Sequence, residues 1–397
     1  MSRDLVIDAD THYYETLDCF TRHADPALVE RGPHWRTDSN GKQKLFVGDK
    51  PFTFFTDPSW KLMPPAGSLA DFLRRGIHKP GVDGDDGVEI SKPDPAYVSD
   101  RDARLALLDQ QRLDATLLFP TLGITVEHFM TDDVEATYAS LRSFNDWLDE
   151  QWGFNYKGRL ISPPMMSLLD VDRAVEELER VLAMGARMVH LRPGPQGNRS
   201  PADPVFDPFW ARLNEARIPV AFHAAESGYN QRFSTAFGEN PNPSSHTISA
   251  WQWTNTFGDR PIMDTISALI FGNLFGRFPN LNVASIENGS VWVDYLLTVM
   301  DKMKGMGRNG LWQGGYFKGK PSEVFKRHVF VSPFFEEDLE ALVDRIGASR
   351  VLFGSDHPHI EGLSDPVTFE ESVSSRSDEE RRMIMGGNAS ALLGLAA

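Results

Sequence analysis

The chain of 397 residues contains a single cysteine, Cys19, so no internal disulfide can form. A metal site built from several thiolates is excluded for the same reason, and a buried, unreactive thiol is the expected state of Cys19. The N-terminal segment shows no basic region before its first apolar stretch, so neither a signal peptide nor a transit peptide is predicted. This composition is typical of a reducing compartment, and we expect a cytoplasmic location.

Positive charge is scarce as well. The chain has 40 Lys and Arg against 56 Asp and Glu, which gives a formal net charge of -16. Phosphate backbones and anionic lipids are bound by clustered Lys and Arg, so neither nucleic acid nor a membrane is an expected partner. Long apolar runs are also missing, since none approaches the ~20 residues that a membrane-spanning helix needs.

Three common catalytic motifs are absent from the sequence. The first strand is not followed by the glycine-rich turn of dinucleotide-binding folds, which disfavours an open doubly wound sheet. There is no Walker loop to support phosphoryl transfer and no Gly-x-Ser-x-Gly turn to support a serine hydrolase.

Strand-like and helix-like segments alternate along most of the chain. After a first strand from Leu5, the stretch 16–98 is irregular, and amphipathic helices then separate short buried strands. The later predicted strands are 115–119, 160–166, 187–191, 218–223, 281–286, 328–331 and 351–353. Eight parallel βα units favour an α/β fold, a (β/α)₈ TIM barrel in a single domain over 1–397. We expect the stretch 16–98 to be an insertion over the barrel mouth, and a lid-like loop to follow the fifth strand.

Ionisable residues stand where five of these strands end. The first strand delivers Asp10 and His12, two residues apart, so both side chains can leave the same face of the strand. Because a parallel barrel collects the carboxyl ends of its strands at one mouth, side chains at other strand ends are expected nearby. In chain order these are His190 with Arg192, His223, Glu287, and Asp356 with His359.

Asp10, His12, His223 and Asp356 make a mixed nitrogen and oxygen ligand set for one divalent metal ion. Zn²⁺ is the first candidate and Mn²⁺ the second. Such an ion can lower the pKa of bound water to about 7 or polarise a substrate oxygen. His223 and Asp356 are predicted to be catalytic as well as ligating, with Asp356 also moving protons. Glu287 is a further candidate acid or base, and a salt bridge is its structural alternative.

Three more residues are candidates for binding a small carboxylate substrate. The planar guanidinium of Arg192 can pair with a carboxylate through two hydrogen bonds. His190 could orient the substrate or hold a metal ligand in position. His359 could shape the rim of the pocket, and exposure to solvent is the alternative.

Four segments of the chain resemble the amidohydrolase superfamily, specifically the amidohydrolase-2 branch that includes aminocarboxymuconate-semialdehyde decarboxylase and γ-resorcylate decarboxylase. They are Asp10-Thr11-His12, Phe222-His223, 275–281 and 352–358. The resemblance implies a (β/α)₈ barrel with one catalytic divalent metal, commonly in a homodimer, and it places the metal at Asp10, His12, His223 and Asp356. Relatives often carry His or Glu at the position of Asp10, and a His at the position of Glu287.

Three functions are compatible with this sequence. The first is non-oxidative decarboxylation of a small aromatic or unsaturated carboxylic acid, with proton transfer by Asp356 or Glu287. The second is hydrolysis of an ester, amide, lactone or C–C bond by metal-bound hydroxide, for which the fold and ligands would be the same. The third is a catalytically silent barrel that binds a ligand, and it predicts a protein without stoichiometric metal.

Overall fold

The computed structural model describes residues 5–55, 57–79, 87–91 and 95–395. Its strands β1 to β10 are Ile7–Tyr13, Pro33–Thr37, Gln43–Val47, Lys50–Pro51, Ala115–Pro120, Leu160–Ile161, Val189–Leu191, Val220–His223, Val283–Ile286 and Val329–Val331. Its helices α1 to α16 are Leu69–Arg75, Pro95–Ser99, Arg101–Gln110, Gly123–Met130, Val134–Gln151, Val171–Ala183, Asp207–Ala216, Tyr229–Phe233, Ala250–Gln252, Arg260–Phe271, Leu274–Arg277, Trp292–Met306, Pro321–His328, Leu339–Ile346, Asp378–Arg382 and Asn388–Leu393.

Two parallel sheets form the centre of the fold. One has the order β1-β5-β6 and the other the order β10-β9-β8-β7. Neighbouring strands are parallel throughout both sheets, as strands joined by helical crossovers must be. The α/β class with parallel strands is therefore confirmed, and seven of the eight predicted strands form as β1 and β5 to β10.

Isolated parallel bridges link the edges of these two sheets. Met165 pairs with His190 of β7, Val351 pairs with Val331 of β10, and His357 pairs with Thr11 of β1. The segment predicted as the eighth strand is shorter than expected. Its backbone makes one hydrogen bond to each neighbour, from Leu352 N to Val331 O at 2.9 Å and from Ala9 N to Phe353 O at 2.7 Å, before the chain turns away.

Strand residues alternate between two apolar clusters. On β8, Val220 and Phe222 belong to an outer cluster that packs against the helices, whereas Ala221 belongs to an inner cluster between the strands. Side chains of successive strand residues point to opposite faces, so His223 lies on the inner side with Ala221. His190 lies between two residues of the outer cluster and faces inward in the same way. The pattern aims these histidines at the space enclosed by the strands.

The predicted insertion contains a small antiparallel sheet, β2-β3-β4, followed by α1. Within the range 16–98, residues 56, 80–86 and 92–94 lie outside the described residues. Trp60 of this insertion packs on Tyr14 with ring centroids 5.4 Å apart, and Tyr14 lies 6.3 Å from the His359 ring. The insertion thus reaches the ends of the central strands. The segment after β8 carries α8 and α9.

Two further expectations are the burial of Cys19 and the lack of a membrane-spanning helix. Cys19 is 2% exposed, and burial raises the pKa of its thiol well above the usual range, which confirms an unreactive packing role. In the part of the chain that the structure describes, no helix combines the length and the apolar character needed to cross a bilayer.

Candidate metal centre

Strand ends bring five ionisable side chains together. Asp10 and His12 lie near the end of β1, His223 ends β8, and Glu287 directly follows β9. Asp356 follows the bridged segment after Val351, and its backbone N–H donates to Asp10 O at 2.8 Å. The structure brings these five side chains together at the ends of the strands.

His12 stands at the centre of the group. Its Nε2 lies 3.2 Å from Glu287 Oε2, 3.4 Å from Asp356 Oδ1 and 3.5 Å from Asp10 Oδ1. His223 Nε2 lies 3.3 Å from Asp10 Oδ1 and 3.1 Å from Glu287 Oε2. The side chains form two overlapping groups, each with its donor atoms within 4.8 Å of one another. The first group is Asp10, His12, His223 and Glu287, and the second is His12, Glu287, Asp356 and His359.

The unpaired atoms of this cluster test whether a metal ion would fit. His12 Nε2 and Glu287 Oε2 are both buried, and neither makes a hydrogen bond, although they are only 3.2 Å apart. Buried polar atoms normally find a partner, and these two are aimed at a shared space. Imidazole nitrogens and carboxylate oxygens are ligands that Zn²⁺ and Mn²⁺ accept. The residues present therefore fit a divalent metal.

Burial and neighbouring charges set the protonation of the carboxyl groups. Burial opposes ionisation of Glu287, but His223 and His12 hold the pKa of this carboxyl well below its usual range. Burial, reinforced by the Glu287 charge, raises the pKa of Asp356 well above its usual range. The two carboxyl groups thus lie in surroundings that shift their pKa values in opposite directions.

Glu287 and Asp356 share an uncommon backbone conformation. Their φ angles are +53° and +56°, in the left-handed region that disfavours residues with a Cβ atom. Asn288 holds the turn after β9, because its Nδ2 donates to Phe222 O at 2.9 Å and to Ile286 O at 2.7 Å. Strain of this kind persists only where surrounding contacts enforce it, and it clusters at functional sites.

Asp8 and Glu15 are buried acids near the site that the sequence analysis did not single out. Asp8 accepts hydrogen bonds from Ser355 N at 3.0 Å and Ser355 Oγ at 2.5 Å, which ties β1 to the loop that carries Asp356. Glu15 accepts from the N–H groups of Leu122 and Gly123 at the start of α4. Burial raises the pKa of each to about 7. The sequence feature that could have identified both residues is an acidic side chain within, or directly after, an apolar strand.

The predicted substrate residues lie on two sides of the cluster. The His359 ring stacks on His12 at 3.9 Å, and its Nδ1 lies 2.6 Å from Asp356 Oδ1. The His190 ring lies 6.3 Å from that of His223, and burial lowers the pKa of His190 to about 3, so it is neutral. Arg192 is paired with Glu127 of α4, a residue that the sequence analysis missed.

Comparisons with known proteins agree with this geometry. An amidohydrolase from Mycobacterium avium subsp. paratuberculosis has a solved structure that is 38% identical, with a TM-score of 0.88, over 99% of this chain and 100% of that chain. A dihydroxybenzoic acid decarboxylase from Polaromonas sp. JS666, solved with manganese and the inhibitor 2-nitroresorcinol, is 18% identical, with a TM-score of 0.60, over 99% of this chain and 98% of that chain. The second likeness concerns the fold alone.

A curated relative and a family model complete the comparison. The 2-amino-3-carboxymuconate-6-semialdehyde decarboxylase of Dictyostelium discoideum is 28% identical over 142 residues, which are 33% of this chain and 36% of that enzyme. The match therefore spans about a third of the relative's length. The amidohydrolase-2 family model matches residues 7–395, nearly the whole chain. The chain belongs to the amidohydrolase-2 family of enzymes.

Proposed function

We propose that this enzyme uses one divalent metal ion to decarboxylate a small aromatic or unsaturated carboxylic acid without an oxidant. The observation that carries the proposal is the convergence of His12, His223 and three carboxylates on one buried space, with His12 Nε2 and Glu287 Oε2 unpaired. The curated decarboxylase among its relatives favours this reaction over others of the family.

The proposed scaffold is a (β/α)₈ barrel in a single domain over 1–397, with the insertion 16–98 over its mouth. The bridges Met165 to His190, Val351 to Val331 and His357 to Thr11 support it, because together they connect the two sheets at both of their edges. The contact of Trp60 with Tyr14 supports a position of the insertion over the mouth. We also propose a lid role for the segment after β8.

The proposed metal ligands are Asp10, His12, His223 and Asp356, with Glu287 at similar distance. When bound, the ion would act as a Lewis acid on the substrate's oxygen atoms. Zinc is the first candidate because of the mixed nitrogen and oxygen donors, and manganese is the second, as in the Polaromonas enzyme.

In the reaction, the bond between the carboxylate carbon and its neighbouring carbon breaks, and its electron pair remains on the neighbouring carbon. A proton then replaces the departing CO₂. Asp356 is the proposed donor of that proton, and His359 Nδ1, 2.6 Å from Asp356 Oδ1, is placed to restore it. His190 and Arg192 are proposed to contact the substrate, and His223 to take part in catalysis as a ligand, with its Nδ1 held by Ala224 O at 2.9 Å.

A hydrolase is the second candidate, and Glu287 favours it. Its Oε2 lies 3.2 Å from His12 Nε2 and 3.1 Å from His223 Nε2, inside the ligand cluster, where it could take a proton from an attacking water molecule. The hydrolysed bond would be an ester, amide, lactone or C–C bond.

Product analysis tests the two functions. The protein, loaded with zinc or manganese, is incubated with a panel of aromatic and unsaturated acids and of esters, amides and lactones in isotope-labelled water. In ¹⁸O-labelled water, decarboxylation releases CO₂ in stoichiometric amount and leaves ¹⁸O out of the organic product, whereas hydrolysis incorporates solvent oxygen. Asp365→Asn, an exposed change at the Arg112 ion pair, is the matched control for Asp356→Asn. Absence of CO₂ from every acid contradicts the proposal.

The homodimer and the cytoplasmic location stay predictions. The silent barrel is disfavoured by the retention of all four proposed ligands, and stoichiometric metal in the purified protein would contradict it. Sedimentation of the purified protein measures the oligomeric state directly.

A further inference from the structure

A threonine hydroxyl group contacts the ring of His359 on the side away from the metal cluster. The threonine is Thr121, which directly follows β5 and is 6% exposed. Its Oγ1 lies 3.1 Å from His359 Nε2 and donates to Tyr13 O at 2.9 Å. The other ring nitrogen, Nδ1, lies 2.6 Å from Asp356 Oδ1. The imidazole is therefore held between a hydroxyl group and a carboxyl group of the cluster.

The single hydrogen of the Thr121 hydroxyl fixes the direction of its contact with the ring. A backbone carbonyl can only accept, so this hydrogen is used at Tyr13 O. Oγ1 is then left as an acceptor, and His359 Nε2 must carry the hydrogen of the 3.1 Å contact. With Nε2 held in this way, Nδ1 is the nitrogen that meets the Asp356 carboxyl.

The two histidines of the ligand set are held the opposite way round. His12 Nδ1 donates to Pro120 O at 3.2 Å and His223 Nδ1 donates to Ala224 O at 2.9 Å, since both oxygens can only accept. Each ring thus presents its Nε2 to the carboxylates of the cluster. His359 presents Nδ1 instead. The group that binds the far nitrogen of each ring decides which nitrogen reaches the cluster.

We propose that Thr121 is a positioning residue, which holds the His359 ring so that Nδ1 faces Asp356. The proposal rests on the proposed function, in which His359 returns a proton to Asp356. Thr121 exchanges no proton in this scheme, because its own hydrogen stays on Tyr13 O. A ring turned by 180° about its bond to Cβ would place Cδ2 beside Asp356, and this carbon has no proton to give.

A double-mutant cycle tests the coupling between Thr121 and His359. Thr121→Val removes the hydroxyl and should lower kcat about tenfold at unchanged KM and metal content, a usual effect of losing the partner that orients an active-site histidine. Thr121→Ser keeps the hydroxyl and should keep most of the activity. In the His359→Asn background, Thr121→Val should have no further effect, because the ring that it positions is gone. An equal loss in both backgrounds would mean that Thr121 acts only through general stability, and it overturns the proposal.

A spectroscopic measurement tests the same point without turnover. In the zinc-loaded protein labelled with ¹⁵N at histidine, ring nitrogens with and without a hydrogen resonate far apart, and the His359 signals are assigned by their loss in His359→Asn. We expect His359 Nε2 to carry a hydrogen in the unchanged protein and in Thr121→Ser, and its signal to shift in Thr121→Val. Thr137→Val is the matched control, since Thr137 is also a buried threonine that donates to backbone carbonyls, but on α5. It should leave the His359 signals and kcat unchanged.

The spectra and the product analysis separate this proposal from the reaction on which it rests. A His359 Nε2 without a hydrogen in the unchanged protein, or one whose signal does not respond to Thr121→Val, overturns the proposal whatever the reaction. Release of CO₂ from no acid, together with the expected spectra, would instead refute the decarboxylase function and leave the positioning role of Thr121 established.

Discussion

Glu287 Oε2 lies 3.1 Å from His223 Nε2, closer to that nitrogen than Asp10 Oδ1, which is 3.3 Å away. Glu287 stands where decarboxylases of the resembled branch usually carry a histidine, and this difference gives the site one more negative charge. The carboxylate is thus placed both to bind a cation and to accept a proton. The following predictions separate these roles.

The purified protein should contain about one divalent ion per chain, as expected for a single catalytic site with three or four protein ligands. Elemental analysis before and after chelation measures it. His223→Ala should lose the ion while keeping the far-ultraviolet circular dichroism of the fold, because a metal at strand ends is not the main source of stability. A metal-free preparation that cannot be reloaded would contradict this prediction, as would unfolding of the variant.

Glu287→Gln should retain the metal, because Asp10, His12, His223 and Asp356 remain as donors. Its kcat should nevertheless fall by about a hundredfold, the usual effect of removing a general acid or base. Metal content and kcat are measured on the same preparation. If metal and activity are lost together, Glu287 is a ligand whose charge is needed to hold the ion.

Asn288→Ala should lower kcat by roughly tenfold with little change in KM, because the turn that positions Glu287 loses two hydrogen bonds. Steady-state kinetics measure the effect. The control is Asn214→Ala, since Asn214 also holds a loop, by accepting from Asn280 N at 2.8 Å, but in the connection that precedes β9. Equal effects of the two variants would mean that Asn288 acts only through general stability.

Glu15 should make stability depend on pH. Its pKa rises from 4.5 to about 7 on folding because the carboxyl is buried. The folded state therefore holds the proton more tightly, and the contribution of Glu15 to stability falls as pH rises from 4.5 to 7. The free energy of unfolding of the unchanged protein, relative to Glu15→Gln, should fall by roughly 3 kcal/mol over that range. Urea unfolding at several pH values measures it.

Glu135→Gln is the control for this titration, because Glu135 is an exposed residue on α5 paired with Arg31. Its comparison with the unchanged protein gives the pH dependence that a glutamate-to-glutamine change introduces at an exposed position. A pH dependence of Glu15→Gln no larger than this would show that the carboxyl of Glu15 titrates alike in the folded and unfolded chain.

The sequence predicted the convergence of the site more reliably than the extent of its strands. The predicted strand 160–166 ends as β6 at Ile161, because Pro163 and Pro164 have no N–H groups to continue the ladder. The helix expected before the strand 281–286 is divided into α10 and α11 at Asn273, whose φ is +52°. The ends of these strands and helices depend on the backbone conformation of single residues. The spacing of apolar residues does not specify that conformation.

The contact between Arg192 and Glu127 was not predictable from the chain alone. Arg192 was expected to pair with a substrate carboxylate, and Glu127 lies 65 residues away in an apolar helix where its own pattern gives no sign of a partner. Asp10 and His12, by contrast, are two residues apart on one strand, so their proximity follows from local geometry. Ion pairs between distant segments depend on how helices pack over the strands, and this information is spread over the whole core.

The left-handed backbone at Glu287 and Asp356 bears on how this enzyme would change under laboratory evolution. A glycine at either position would relieve about 1 kcal/mol of strain, so variants selected only for heat tolerance would gain by losing these carboxylates. A library screened for thermal resistance should therefore keep the codons of Glu287 and Asp356 fixed. Related proteins that have lost activity would be expected to carry glycine or asparagine at these two positions.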